Sequence, residues 1–167
     1  MLKLRWRSVA SAKLHGHHEH VTNHGDIVSK AKRSEMMRAV RQRGTTAERA
    51  VQVVLRDLGA RYRVNHAGLP GHPDFANRSR GWAIFVHGCF WHGHRHCRKT
   101  KGGARGRVPA SNSAAWESKL EANRERDARK ERALRDLGLR VLTIWECELR
   151  DSTKLQGKIA RFLDRHR

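Results

Sequence analysis

The 167 residues carry 36 Lys and Arg against 16 Asp and Glu, a formal charge of +20 and a pI near 11.4. So basic a chain points to a polyanionic partner, with nucleic acid foremost, and its length suits one domain with its own, rather thin, core. No apolar run approaches the ~18 residues of a membrane span. The basic start MLKLRWRSVASAK also lacks the apolar stretch of a secretory signal, so a cytoplasmic protein is expected.

Residues 1–25 hold four Lys/Arg, one Glu and five His with almost no apolar periodicity, and read as a disordered basic arm. Residues 26–167 form the expected domain. Ser29 to Arg43 reads as a helix with Met36, Met37, Ala39 and Val40 on its apolar side, stopped by Gly44. Thr45-Thr46-Ala47-Glu48 reads as a capping box ahead of the stripe Val51, Val54, Leu55, Leu58, and Gly59 closes that helix. Arg61 to Asn65 is a strand candidate. Leu69 to Pro73 is a turn cluster, and Asp74-Phe75-Ala76 leaves it as a second strand.

Trp82 to Val86 is an unbroken apolar run between Gly81 and Gly88, as expected of a buried strand. Residues 95–107 hold six Lys/Arg, three Gly and no acid, a basic loop. A long charged helix follows from Asn112 to Leu137, then a strand from Arg140 to Trp145 and a closing helix from Thr153 to Leu163. This order predicts an α/β domain with a central mixed sheet flanked by helices.

The chemistry concentrates in His87 to Cys97, where four His and two Cys fall within eleven residues. The chain has three cysteines and no signal peptide, which disfavours a disulfide framework. Cys89 and Cys97 are either inert core thiols or the two ends of a metal clamp. A tetrahedral zinc would need His94 or His96 between them and Cys147 as the fourth ligand. Phe90 and Trp91 lie inside this polar loop, where flat side chains either pack inward or meet DNA bases.

Asp74, at a strand start, is either a turn residue or a carboxylate for Mg²⁺. On the long helix, Trp116, Leu120, Asn123, Asp127, Leu134 and Leu137 recur on one face. A buried Asp127 requires a partner, either a structural Arg or a His that it would orient for general-base work.

Several segments, taken together, resemble the very short patch repair (Vsr) family of DNA mismatch endonucleases. They are Lys32-Arg33-Ser34 to Val40, Leu69 to Phe75, Phe85 to His94 (with the string HGCFWHGH), Asn123 to Asp127, and Arg140 to Cys147. They occur in family order over roughly residues 29–150. The resemblance implies a restriction-endonuclease-like fold with a structural zinc. It also implies a Mg²⁺-dependent nick 5′ of the thymine in a T:G mismatch, made in double-stranded DNA by a monomer, with downstream repair proteins taking over the nick.

It further implies that Asp74 binds the Mg²⁺ together with the Val86 main-chain carbonyl. His92 is then the general base, Asp127 its orienting partner and His87 a second imidazole, with Glu48 at a functional position. Cys89, His94, Cys97 and Cys147 match the zinc ligands, and Phe90, Trp91 and Met37 the residues that wedge into the duplex. Val86 stands where the best-known members have Thr, and the acidic-x-Lys half of the restriction-nuclease motif is missing, as it is throughout the family. Two readings compete with this one: a zinc-stabilised DNA-binding protein without catalysis, and a related nuclease with another lesion or site.

Overall fold

The computed structural model describes residues 29, 31, 32, 34, 35, 43–94, 97 and 113–164. The basic arm, Met37, His96, the basic loop and most of the first predicted helix lie outside them. Within that helix, residues 31, 32, 34 and 35 are helical, and Ser29 Oγ accepts the Lys32 N–H at 3.2 Å, as a cap does.

Three helices and four strands make up the rest: α1 (Thr46–Asp57), β1 (Arg63–Val64), β2 (Phe75–Asn77), β3 (Trp82–His87), α2 (Ser113–Asp136), β4 (Arg140–Trp145) and α3 (Ser152–Asp164). A 3-10 turn, Glu146–Arg150, joins β4 to α3. The capping box that opens α1 is complete. Thr45 Oγ1 accepts the Glu48 N–H at 3.2 Å, while the Glu48 carboxylate takes the Gly44 N–H at 2.9 Å and the Thr45 N–H at 3.4 Å.

The sheet runs β1-β2-β3-β4, with the first two pairings antiparallel and β3–β4 parallel. Parallel neighbours need a long crossover, and α2 supplies it. Side-chain alternation along β3 divides the core in two. Trp82 and Ile84 face one way and join Val51, Leu55, Phe75, Ile144, Leu155 and Ile159, a cluster covered by α1 and α3. Ala83 and Phe85 face the other way and join Leu69, Ala76, Leu134 and Leu139, a cluster covered by α2. A strand buried on both faces cannot alternate apolar with polar, which is why β3 reads as an unbroken apolar run.

Two expectations are corrected. The first strand is shorter than Arg61–Asn65: only Arg63 and Val64 pair, because β1 is an edge strand and Asn65, at φ +47°, bends out of extended geometry. Leu137 also leaves the apolar stripe of the long helix. It is 57% exposed and lies beyond the last turn, where Gly138 at φ +78° reverses the chain and Leu139 enters the core instead. Among the described residues, no helix is long and apolar enough to cross a membrane.

Leu134, fully buried, is the side chain that seats α2 on the sheet. Leu134→Ala is expected to cost about 2–5 kcal/mol, read as a lowered midpoint in urea unfolding at unchanged slope.

Candidate active site and metal centre

The polar face of the sheet opens at the carboxyl ends of β3 and β4. His87 is the last residue of β3 and pairs with Trp145, the last of β4. Period-2 alternation places His87 on the α2 side, together with Phe85. There its ring stacks on His92, with centroids 3.8 Å apart and planes 7° apart. His92 comes from the tight loop that follows β3, whose turns are closed by His92 N–H to Gly88 C=O and His94 N–H to Cys89 C=O. Gly93, at φ +60°, sits so close to the Arg124 guanidinium that any Cβ there would collide with it.

From α2, Asp127 meets this pair: its Oδ2 lies 2.5 Å from His92 Nδ1. With a carboxylate as acceptor, His92 carries its proton on Nδ1 and leaves Nε2 open. Burial works to raise the Asp127 carboxyl, but the His92 hydrogen bond and the charges of His92 and Lys130 outweigh it and hold the group below its ordinary range. His87 goes the other way. Burial, and then the like charge of His92, lowers it to about 3, so it is neutral at physiological pH. One turn after Asp127, Lys130 brings its ammonium to 3.7 Å from Asp127 Oδ1.

Asp74 enters from the neighbouring strand. The loop before it turns at Gly71 (φ +74°) and His72 (φ +49°), and its Oδ2 accepts the Val86 N–H at 2.7 Å. Burial raises the Asp74 carboxyl to about 6, the hydrogen bond from Val86 offsets part of that, and the negative charge of Glu48 adds to it. Glu48, buried at 7% exposure, therefore both caps α1 and lies within electrostatic reach of Asp74.

On the far side of Trp145 lies a second cluster. One ligand atom from each of Cys89, His94, Cys97 and Cys147 falls within 4.8 Å of the others. Cys147 Sγ is 3.5 Å from His94 Nδ1, and the His94 ring stacks on Trp145 with centroids 4.1 Å apart. Burial pushes the Cys89 thiol up to about 12 and raises Cys147 as well. Three desolvated thiols around one imidazole form a soft donor set suited to a cation that would deprotonate them, and tetrahedral zinc fits it. His87, His92 and Asp127 also converge closely enough to hold an ion.

Phe90 and Trp91 are half-buried rather than free-standing. Their rings pack on each other at 5.0 Å, and Trp116 of α2 lies at 5.4 and 6.4 Å from them. Asn123, the polar break in the helical stripe, donates from Nδ2 to the Trp91 carbonyl at 2.8 Å and so fixes the loop to α2. Sequence reasoning missed Lys130, although its position one turn from Asp127 was a usable signal. Trp145, half-buried at the end of β4, forms the wall between the two clusters.

A carboxylate, a carboxylate-oriented imidazole and a second imidazole thus gather at the strand ends of a mixed sheet, a set able to hold a cation and to move a proton. Comparison with known proteins gives the family. The family model described as DNA mismatch endonuclease Vsr matches residues 25–99. The DNA mismatch endonuclease Vsr of Escherichia coli is 44% identical over 130 residues, 78% of this chain and 79% of the relative. The type II nicking enzyme V.XorIIP of Xanthomonas oryzae pv. oryzae is 43% identical over 139 residues, 83% of this chain and 97% of the relative. V.NmeAIP of Neisseria meningitidis, also a type II nicking enzyme, is 35% identical over 138 residues, 83% of this chain and 94% of the relative. The chain belongs to the Vsr family of DNA mismatch endonucleases. It is a DNA endonuclease, and its partner is DNA.

The raised Asp74 has a measurable cost. Its carboxyl ionises near 4 in the unfolded chain and near 6 in the metal-free fold. The folded state therefore loses stability as pH rises from about 4 to about 6, and the deficit is complete above that. Asp74→Asn keeps an acceptor for the Val86 N–H and removes the charge. It is expected to raise the thermal midpoint of the metal-free protein by a few degrees at pH 8 and not at pH 4. An equal shift at both pH values would contradict the buried-charge explanation.

Proposed function

We propose that this endonuclease nicks DNA on the 5′ side of the thymine in a T:G mismatch, with Mg²⁺ as its catalytic ion. Such a lesion arises when 5-methylcytosine deaminates. The observation that carries the reading is the His92–Asp127 pair, stacked on a neutral His87 at the same strand ends that present Asp74. In this reading the fold is restriction-endonuclease-like, residues 26–167 are the catalytic domain of a cytoplasmic monomer, and residues 1–25 are a basic arm.

Asp74 and the main-chain carbonyl of Val86 hold the Mg²⁺, with the Glu48 carboxylate close by. When bound, that ion supplies Lewis acidity and positive charge at the scissile phosphate. His92 takes a proton from the attacking water at Nε2, because Asp127 occupies Nδ1 and fixes the ring orientation. His87, uncharged and stacked on His92, shields it from solvent without adding a like charge. Cys89, His94, Cys97 and Cys147 hold a structural zinc that pins the loop carrying His92.

Lesion choice falls to Phe90 and Trp91, with Met37. Unstacking DNA costs a few kcal/mol and is easiest at a weakly paired step. Phe90 and Trp91, backed by Trp116, form a rigid aromatic wedge that reads this deformability. The basic residues grip phosphates and position the duplex without reading it. Val86 favours a second reading on one point: it lacks the Thr hydroxyl of the best-known members, which leaves room for a different lesion or sequence context.

A strand-labelled nicking assay decides between these readings. Duplexes with T:G, other mismatches or T:A, in several sequence contexts, are incubated with and without Mg²⁺. One Mg²⁺-dependent nick 5′ of the mismatched T is expected, with His92→Ala slower by roughly 10²–10⁴-fold. Cutting confined to another mismatch would select the second reading. Tight duplex binding with no cut on any substrate would sink the enzymatic assignment of these residues.

A further inference from the structure

Hydrolysis of a phosphodiester builds negative charge on the scissile phosphate, and a nuclease must meet it with fixed positive charge. The groups considered so far are rich in acids and poor in cations. Glu48, Asp74 and Asp127 bring three carboxylates to the site. The strand after Asp74 reads Trp82-Ala83-Ile84-Phe85-Val86-His87, with no acidic-x-Lys pair to supply an ammonium.

Lys130 stands where one is needed. It lies on the same face of α2 as Asp127, one turn on, with Nζ 3.7 Å from Asp127 Oδ1. Its stem is fixed from the opposite side. A Cβ built on Gly71 would fall 2.6 Å from Lys130 Cγ and 2.7 Å from its Cβ, so the aliphatic chain lies flat on the loop that delivers Asp74. Its positive charge reaches both Asp74 and His87. The separation from Asp127 is too long for a closed hydrogen bond, and Asp127 Oδ1 has no hydrogen-bond partner among the described residues. Among the described residues the Lys130 ammonium makes no hydrogen bond, and it is held at the site by its stem. The side chain is 33% exposed, so its head remains open to a substrate.

We propose that Lys130 is a catalytic residue whose ammonium donates to a non-bridging oxygen of the scissile phosphate, supplying from α2 the positive charge that the strand motif lacks. Lys130 transfers no proton: the water proton goes to His92, the new P–O bond to water forms as the P–O bond to the leaving strand breaks, and the electron pair of the broken bond stays on the leaving oxygen, which takes a proton from bulk water. This inference rests on the endonuclease reading above. It distinguishes Lys130 from a cation that only orients Asp127.

The test uses the full chain and a T:G duplex under single-turnover conditions, with duplex affinity and thermal midpoint measured beside the nicking rate. Lys130→Met preserves the stem over Gly71 and deletes the charge. It is expected to slow nicking by about 10²–10³-fold, with affinity changed only a few-fold, and Lys130→Arg is expected to recover most of the rate. Lys130→Gln gives the same reading if the Met variant folds poorly. The decisive comparison is the Asp127→Asn background, where the loss from Lys130→Met should persist. A loss that disappears there would make Lys130 a positioning residue and overturn the proposal, as would a Met variant nicking within threefold of the parent. If the parent itself nicks no mismatched duplex, the endonuclease reading of the site fails instead, and that outcome is visible before any variant is made.

Discussion

The site depends on one register, the parallel pairing of β3 with β4. Six consecutive pairs run from Trp82–Arg140 to His87–Trp145, so both strands finish at the same level. Ligand-binding groups in sheets with parallel strands gather outside the carboxyl ends, where the chain is free to leave the ladder. Here the loop after β3 carries Cys89, His92, His94 and Cys97, and the turn after β4 carries Cys147. A slip of one residue would move His87 to the opposite face and separate the thiols. Trp145 closes the arrangement, edge-on to His87 at 5.4 Å and face-on to His94 at 4.1 Å, so the two polar clusters share one wall.

α2 is the second support, and it works through polar residues set in an apolar stripe. Leu120 and Leu134 are buried, while Asn123 holds the Trp91 carbonyl and Asp127 holds His92. The same helix supplies Trp116 behind the aromatic pair and Lys130 over Gly71, in the loop that leads to Asp74. Its charged outer face carries ion pairs such as Arg135–Glu131 at 2.7 Å, worth little individually. The stability of this region comes from packing, and part of it is spent on a half-buried Asp74 whose charge is unfavourable in the metal-free fold.

Much of this was legible in the sequence because the relevant signals are local. The capping box at Thr45 and Glu48, the apolar run of β3 and the glycine at position 59 each act within a few residues. The polar breaks at Asn123 and Asp127 are also local, and both meet the loop after β3. Most of what escaped depends on distant contacts. The edge position of β1 shortens it, and a reversal at Gly138 expels Leu137. Periodicity sees neither of these, because one is decided by the strand's place in the sheet and the other by where the chain turns. Phe90 and Trp91 gave no hint that Trp116 lies beside them, and Lys130 is one basic residue among many until Gly71 and Asp127 are placed around it.

If one register builds both clusters, the proposed zinc ligands and the nicking chemistry are coupled through the loop from Cys89 to Cys97. The direct measurement is bound zinc and single-turnover nicking in Cys147→Ser, with far-ultraviolet circular dichroism as the control for the sheet. Substitution at a ligand 58 positions along the chain from Cys89 should remove the metal and, with the spectrum unchanged, slow nicking by about 10–100-fold. Full nicking activity in a metal-free, folded Cys147→Ser protein would contradict this coupling.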